Sequence, residues 1–106
     1  MSAPSSDSAA IRQTIRALRA AGAAPNYAEY GGGEGEPLAP TASEQSIIDA
    51  IMAVDDCYLI VTLPDGFDRE ESHIRFVMGN DPEEVIGDYE ISLEPILGPL
   101  VKGWWS

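Results

Sequence analysis

The chain predicts an α+β domain: a three-stranded antiparallel meander with flanking helices, preceded by an N-terminal helix and a Gly/Pro-rich linker. Three observations carry this expectation. Ile47, Ile48, Ile51 and Met52 make one apolar helical face. β-rich runs separated by turn chemistry follow between Cys57 and Ile91. Leu93, Ile96, Leu97 and Leu100 then recur at helical spacing.

The elements follow in order. Residues 8–21 read as a short amphipathic helix, with Ile11, Ile15 and Leu18 on one stripe and Arg12, Arg16 and Arg19 beside it. Asp7 or Ser8 can cap its start, and Gly22 is a natural stop. From Ala23 onward that period disappears. Gly31–Gly33, Gly35, Pro25, Pro37 and Pro40 mark a linker. The expected organisation is a basic helical segment over 1–22, a linker over 23–42 and a compact acidic domain over 43–106. A helix over 43–54 opens that domain, with Thr41 and Glu44 at capping-box spacing. The first strand spans Cys57–Leu63 and ends at Pro64–Asp65–Gly66. The second, Ser72–Met78, alternates Ile74 and Phe76 against His73 and Arg75. The third covers Glu84–Ile91 after the Gly79–Pro82 turn. Ser92 is placed to cap the closing helix, which Pro99 should break or kink because it lacks an N–H and crowds the previous turn.

Charge is the dominant compositional signal. Among 106 residues, 18 acids oppose 6 bases, a formal net charge of -12. The three arginines of the first helix face only Asp7, so the excess lies beyond residue 22. Such a body repels nucleic acid and anionic membranes and attracts basic protein surfaces. It also repels itself. No apolar run reaches the ~20 residues a membrane helix needs. The N-terminal sequence lacks the pattern of a signal peptide, and the lone Cys57 suits a buried thiol in a reducing compartment. The expected location is the cytoplasm.

Catalytic constellations are weak. Cys57 and His73 are the single cysteine and histidine and could neighbour each other across a hairpin, but nothing else supports a nucleophilic pair. Counting from Asp81, the position where a calcium loop needs glycine is Ile86. Histidine and cysteine clusters for a transition metal are lacking. The Gly31–Pro37 stretch follows no predicted strand, opens no helix and holds acids where a phosphate cradle needs a lysine. The expectation is a protein without catalytic residues, metal or cofactor.

The segment from Asp65 to Glu94 is the informative one. Asp65, Asp68, Glu70, Glu71, Asp81, Glu83, Glu84, Asp88, Glu90 and Glu94 oppose only Arg69 and Arg75. On a meander these acids fall at both turns and along the last strand, and a rigid fold could present them in a row. DNA carries one charge per roughly 1.7 Å of axis, so such a row can imitate its field for a phosphate-gripping protein. These ten are the candidate partner-binding residues, and the expected partner is a basic, nucleic-acid-binding protein rather than nucleic acid or membrane. A purely solubilising acidic coat is the competing reading. Trp104 and Trp105 either close the core edge or anchor a partner. Monomer and homodimer both stay open.

The run Gly79–Tyr89 (GNDPEEVIGDY), after the strand ending in Phe76–Val77–Met78, resembles a group of small uncharacterised proteins of phages and bacterial mobile elements. The similarity covers about residues 43–100, including Ile47, Ile51 and the Asp65–Gly66 turn. It implies a setting: small acidic phage proteins are often inhibitors of host defence, anti-CRISPR and anti-restriction proteins among them. By association, the resemblance implies an inhibitor acting in the host cytoplasm by DNA mimicry or direct block. An immunity protein or antitoxin against a basic toxin is the alternative.

Overall fold

A computed structural model describes residues 3–105. The first two residues of the expected 1–22 segment and the last of the 43–106 segment lie outside them. The elements run α1 (Asp7–Ala20), β1 (Ala24–Gly31), β2 (Glu34–Pro37), α2 (Glu44–Ile51), β3 (Asp56–Thr62), β4 (Glu71–Val77), β5 (Ile86–Tyr89) and α3 (Glu94–Trp104), with 3-10 turns at Pro82–Glu84 and Ile91–Leu93. The described residues form an α+β fold, with three α-helices and an antiparallel five-stranded sheet in the order β2-β1-β3-β4-β5.

Two expectations are corrected. First, the meander is not three strands wide. The 23–42 stretch read as linker supplies β1 and β2, which extend the sheet beyond β3. Gly32 and Gly33, at φ 62° and 82°, form the left-handed two-residue turn that joins them. Pro25 sits beside an irregularity in the β1–β3 register, the place where a strand tolerates a missing donor. The buried residues of β1 are Pro25 and Ala28, with Tyr30 packed against the core edge, so no run of large aliphatic side chains announced it.

Second, the helical segment expected over 1–22 is not separate from the compact domain expected over 43–106. Ile11, Ile15 and Leu18 are fully buried in the same core as the helices and strands beyond residue 43. The helix packs against both α2 and α3. Its arginines tie it down: Arg12 and Arg16 donate to Glu44 at 3.0 and 2.9 Å, and Arg19 to the Ala42 carbonyl at 2.7 Å. Gly22 does end it, at φ 85°, with the Ala23 N–H bonded to the Leu18 carbonyl.

Smaller differences have local causes. Ser6 caps α1, its hydroxyl accepting from the Ala9 N–H, and Ser43 caps α2, accepting from Ser46. Glu44 is thereby released from the expected capping box to meet Arg12 and Arg16. The last strand is shorter than Glu84–Ile91, because 3-10 turns occupy both its ends. Ser92 does not cap the final helix; its hydroxyl lies 2.7 Å from that of Ser72. Helix α3 continues through Pro99. Gly98 before it has no Cβ to crowd the proline ring, and one lost hydrogen bond is compensated by burial of Leu97, Leu100 and Trp104.

The core lies between the sheet and the three helices. Cys57, Leu59 and Val61 of β3 and Ser72, Ile74 and Phe76 of β4 face it, paired across the ladder. The opposite sheet face carries Tyr27, Tyr58, Ile60, His73 and Arg75 and has no covering layer among the described residues. Among these residues no helix is long and apolar enough to cross a membrane.

Candidate functional site

The antiparallel strands sort the acids by end. Asp65, Asp68 and Glu70 lie on the exposed β3–β4 loop, and Glu71 opens β4. Asp81, Glu83 and Glu84 lie beyond the other end of β4. That strand has seven residues, so at a rise of about 3.4 Å the two groups stand roughly 20 Å apart. Both turns therefore carry acids as the pattern required. The single row does not form.

The strand between the groups explains the gap. Glu90 accepts from Arg69, and its other oxygen lies 2.8 Å from His73 Nδ1, leaving it a fifth exposed. Asp88 stands opposite Arg75 in the ladder. Glu94, the first residue of α3, accepts from the Tyr89 hydroxyl at 2.6 Å. Burial, and then this bond, push the Tyr89 phenol up to about 12. Glu90 thus serves the fold, while the remaining acids of the segment stay at the surface.

Internal pairing uses up the arginines. Arg12 and Arg16 share Glu44, Arg69 takes Glu90, and Arg75 grips Asp56 through two bonds of 3.0 and 2.5 Å. The Arg16 guanidinium holds the Glu44 carboxyl below its ordinary value, and Arg75 does the same to Asp56. The acidic surplus is consequently carried by exposed side chains at the sheet ends. Sequence reasoning missed part of it. Glu29 and Glu34 belong to the β1–β2 hairpin, and the exposed Asp55 stands just before β3 at that same end of the sheet. The Asp55 carbonyl accepts from Met78, which joins this acidic corner to the Asp81–Glu84 turn. Only recognition of the hairpin could have revealed it.

The other expectations separate cleanly. Cys57 faces the core and His73 the open face, so the sheet itself divides the two. Burial pushes the thiol up to about 11, which removes thiolate character. His73 instead sits edge-on to Tyr58, with ring centroids 5.4 Å apart. The tryptophans take different roles. Trp104 is buried and donates to Gln13 at 2.9 Å, closing the core between α3 and α1. Trp105 is 61% exposed.

Trp105 stands at one end of a seam that runs between the outer edge of β5 and α3. Two adjoining hollows of about 350 and 600 Å³ make up the seam, and Val101 lines both. Ile86 and Gly87 line the first and Tyr89, Gly98 and Pro99 the second. Glu83 and Glu84 stand at one end and Glu94 toward the other. The sequence held each of these residues, but only the edge position of β5 brings them together. No protein-family model matches the chain, and no curated protein or solved structure matches it.

Proposed function

We propose that this protein binds a basic surface of another protein, and that it acts as an inhibitor by occupying a surface that would otherwise take nucleic acid. The observation that supports this reading is the disposition of charge. Every arginine is committed internally, to Glu44, Asp56, Glu90 or a backbone carbonyl. The acidic surplus projects from both ends of a rigid sheet. In water such a field acts over about 8 Å at physiological ionic strength and steers a cationic partner into contact. A phage-borne inhibitor of a host defence complex, acting in the host cytoplasm, is the setting the sequence resemblance implies.

Between the two routes to inhibition, direct block is favoured over imitation of a phosphate row. The acids stand in two groups, and a seam walled by Ile86, Val101 and the exposed Trp105 adjoins one of them. A mimic needs evenly spaced charge; a blocker needs charge beside an apolar contact. The test is affinity capture on the immobilised full chain, with the bound protein identified and then challenged. A captured nucleic-acid-binding protein that is released by duplex DNA and by moderate salt supports the proposal. Capture that ignores both DNA and high salt would refute it.

A further inference from the structure

We infer that the seam between β5 and α3 receives an extended, cationic segment of the partner protein, added as a strand along the free edge of β5. This rests on the reading of a basic partner and says where and how that partner is held.

The backbone supplies the first part of the argument. β5 is an outer strand of the sheet. Asp88 stands opposite Arg75, and the Glu90 N–H donates to the His73 carbonyl at 3.2 Å. Both residues thus turn their peptide groups toward β4, and alternation turns those of Tyr89 outward. The Tyr89 N–H is covered by the Asp88 carboxylate, 2.8 Å away. A neighbouring side chain is standing in for a strand's carbonyl. An arriving peptide carbonyl can take over that donor and release the Asp88 carboxylate to a lysine or arginine of the same peptide. Edge addition of this kind draws affinity from main-chain bonds and specificity from alternate side chains.

Shape and charge supply the second part. Ile86, Tyr89 and Val101 offer apolar surface to every second side chain of a strand laid in the seam. Gly87 keeps its stretch of the edge low, and a Cβ there would come within 3.0 Å of Val77. Glu83, Glu84, Asp88 and Glu94 flank the path, against Lys102. A second copy of this chain, at a net charge of -12, is electrostatically the wrong occupant.

The test uses the full chain, isotopically labelled, titrated with an alternating lysine–valine peptide. Controls are the same peptide N-methylated at alternate residues and a glutamate–valine peptide. The lysine–valine peptide should shift the Gly87 and Tyr89 amides and the Trp105 indole. N-methylation should weaken binding about tenfold or more by removing main-chain donors. Glu83→Lys with Glu84→Lys should do likewise, in a protein that still melts cooperatively. Shifts confined to residues 65–71, with both lysine peptides binding equally, would overturn the seam and leave the acidic reading standing. Equal binding of the glutamate peptide in the seam, or no binding of any peptide, would overturn both.

Discussion

The two edges of the sheet are built differently. β2 is four residues long, fully exposed, carries Glu34 and Glu36 and ends at Pro37. It is short, charged and proline-stopped, the usual devices that keep an edge from recruiting another strand. β5 is equally short, but α3 runs beside it, an apolar seam lies between them, and the acids stand at the rim of that seam rather than on the strand's core-facing side. One edge discourages pairing of any kind. The other is the edge proposed to admit a cationic strand.

The largest expected effects come from the walls that set the edges apart. Leu97→Ala in α3 and Ile15→Ala in α1, which braces α3, each empty a fully buried site. Each should cost about 2–5 kcal/mol in chemical denaturation. Removal of residues 1–22 should leave a chain without a cooperative melt. A truncated protein that still melts cooperatively would show that α1 is separable from the compact domain.

That outcome bears on what the sequence could convey. Elements whose inward positions are Ile, Leu, Val or Phe were legible: α1 itself, α2, β3, β4 and α3 all appear near their expected bounds. β1 and β2 were not. β1 buries only Pro25 and Ala28 fully, β2 is exposed throughout, their turn is a glycine run, and Pro25 sits where the register slips. Losing them hid two further things: that the stripe of Ile11, Ile15 and Leu18 has a sheet to pack on, and that Glu29 and Glu34 join the acidic corner. The acids of the candidate surface were legible as composition. Which of them the fold would spend was not, because the bond of Glu90 to Arg69 depends on a pairing across 21 positions.

Acid and salt should act on two opposed electrostatic effects. Glu44 and Asp56 have folded values held down by Arg16 and Arg75. A depressed carboxylate contributes stability above its unfolded value and loses it as pH falls through the folded one. Self-repulsion among the surplus acids acts oppositely at neutral pH and is screened by salt. The melting temperature should therefore fall as pH descends through the carboxylate range. Added salt at neutral pH should raise it, by screening. A melting temperature that ignores salt would show that the surplus acids are compensated.

A smaller effect is expected where β1 and β2 are pinned. The Tyr30 hydroxyl donates to the Ala50 carbonyl at 2.6 Å and fastens the hairpin to α2. Tyr30→Phe should cost about 1 kcal/mol and speed amide exchange in β2 while leaving β5 unchanged. Equal acceleration at both edges would mean that they are coupled. Smallest of all, Glu34→Ala and Glu36→Ala, at exposed edge positions, should stay within about 0.5 kcal/mol of the parent.

Charge reversal at each edge in turn tests the difference between them most directly. The lysine–valine peptide is titrated calorimetrically against Glu34→Lys/Glu36→Lys and against Glu83→Lys/Glu84→Lys, variants that change net charge equally. If β5 is the receptive edge, reversal beside it should weaken binding about tenfold or more, and reversal on β2 by less than about threefold. Equal losses from the two pairs would mean that the peptide senses only total charge, and the distinction between the edges would be wrong.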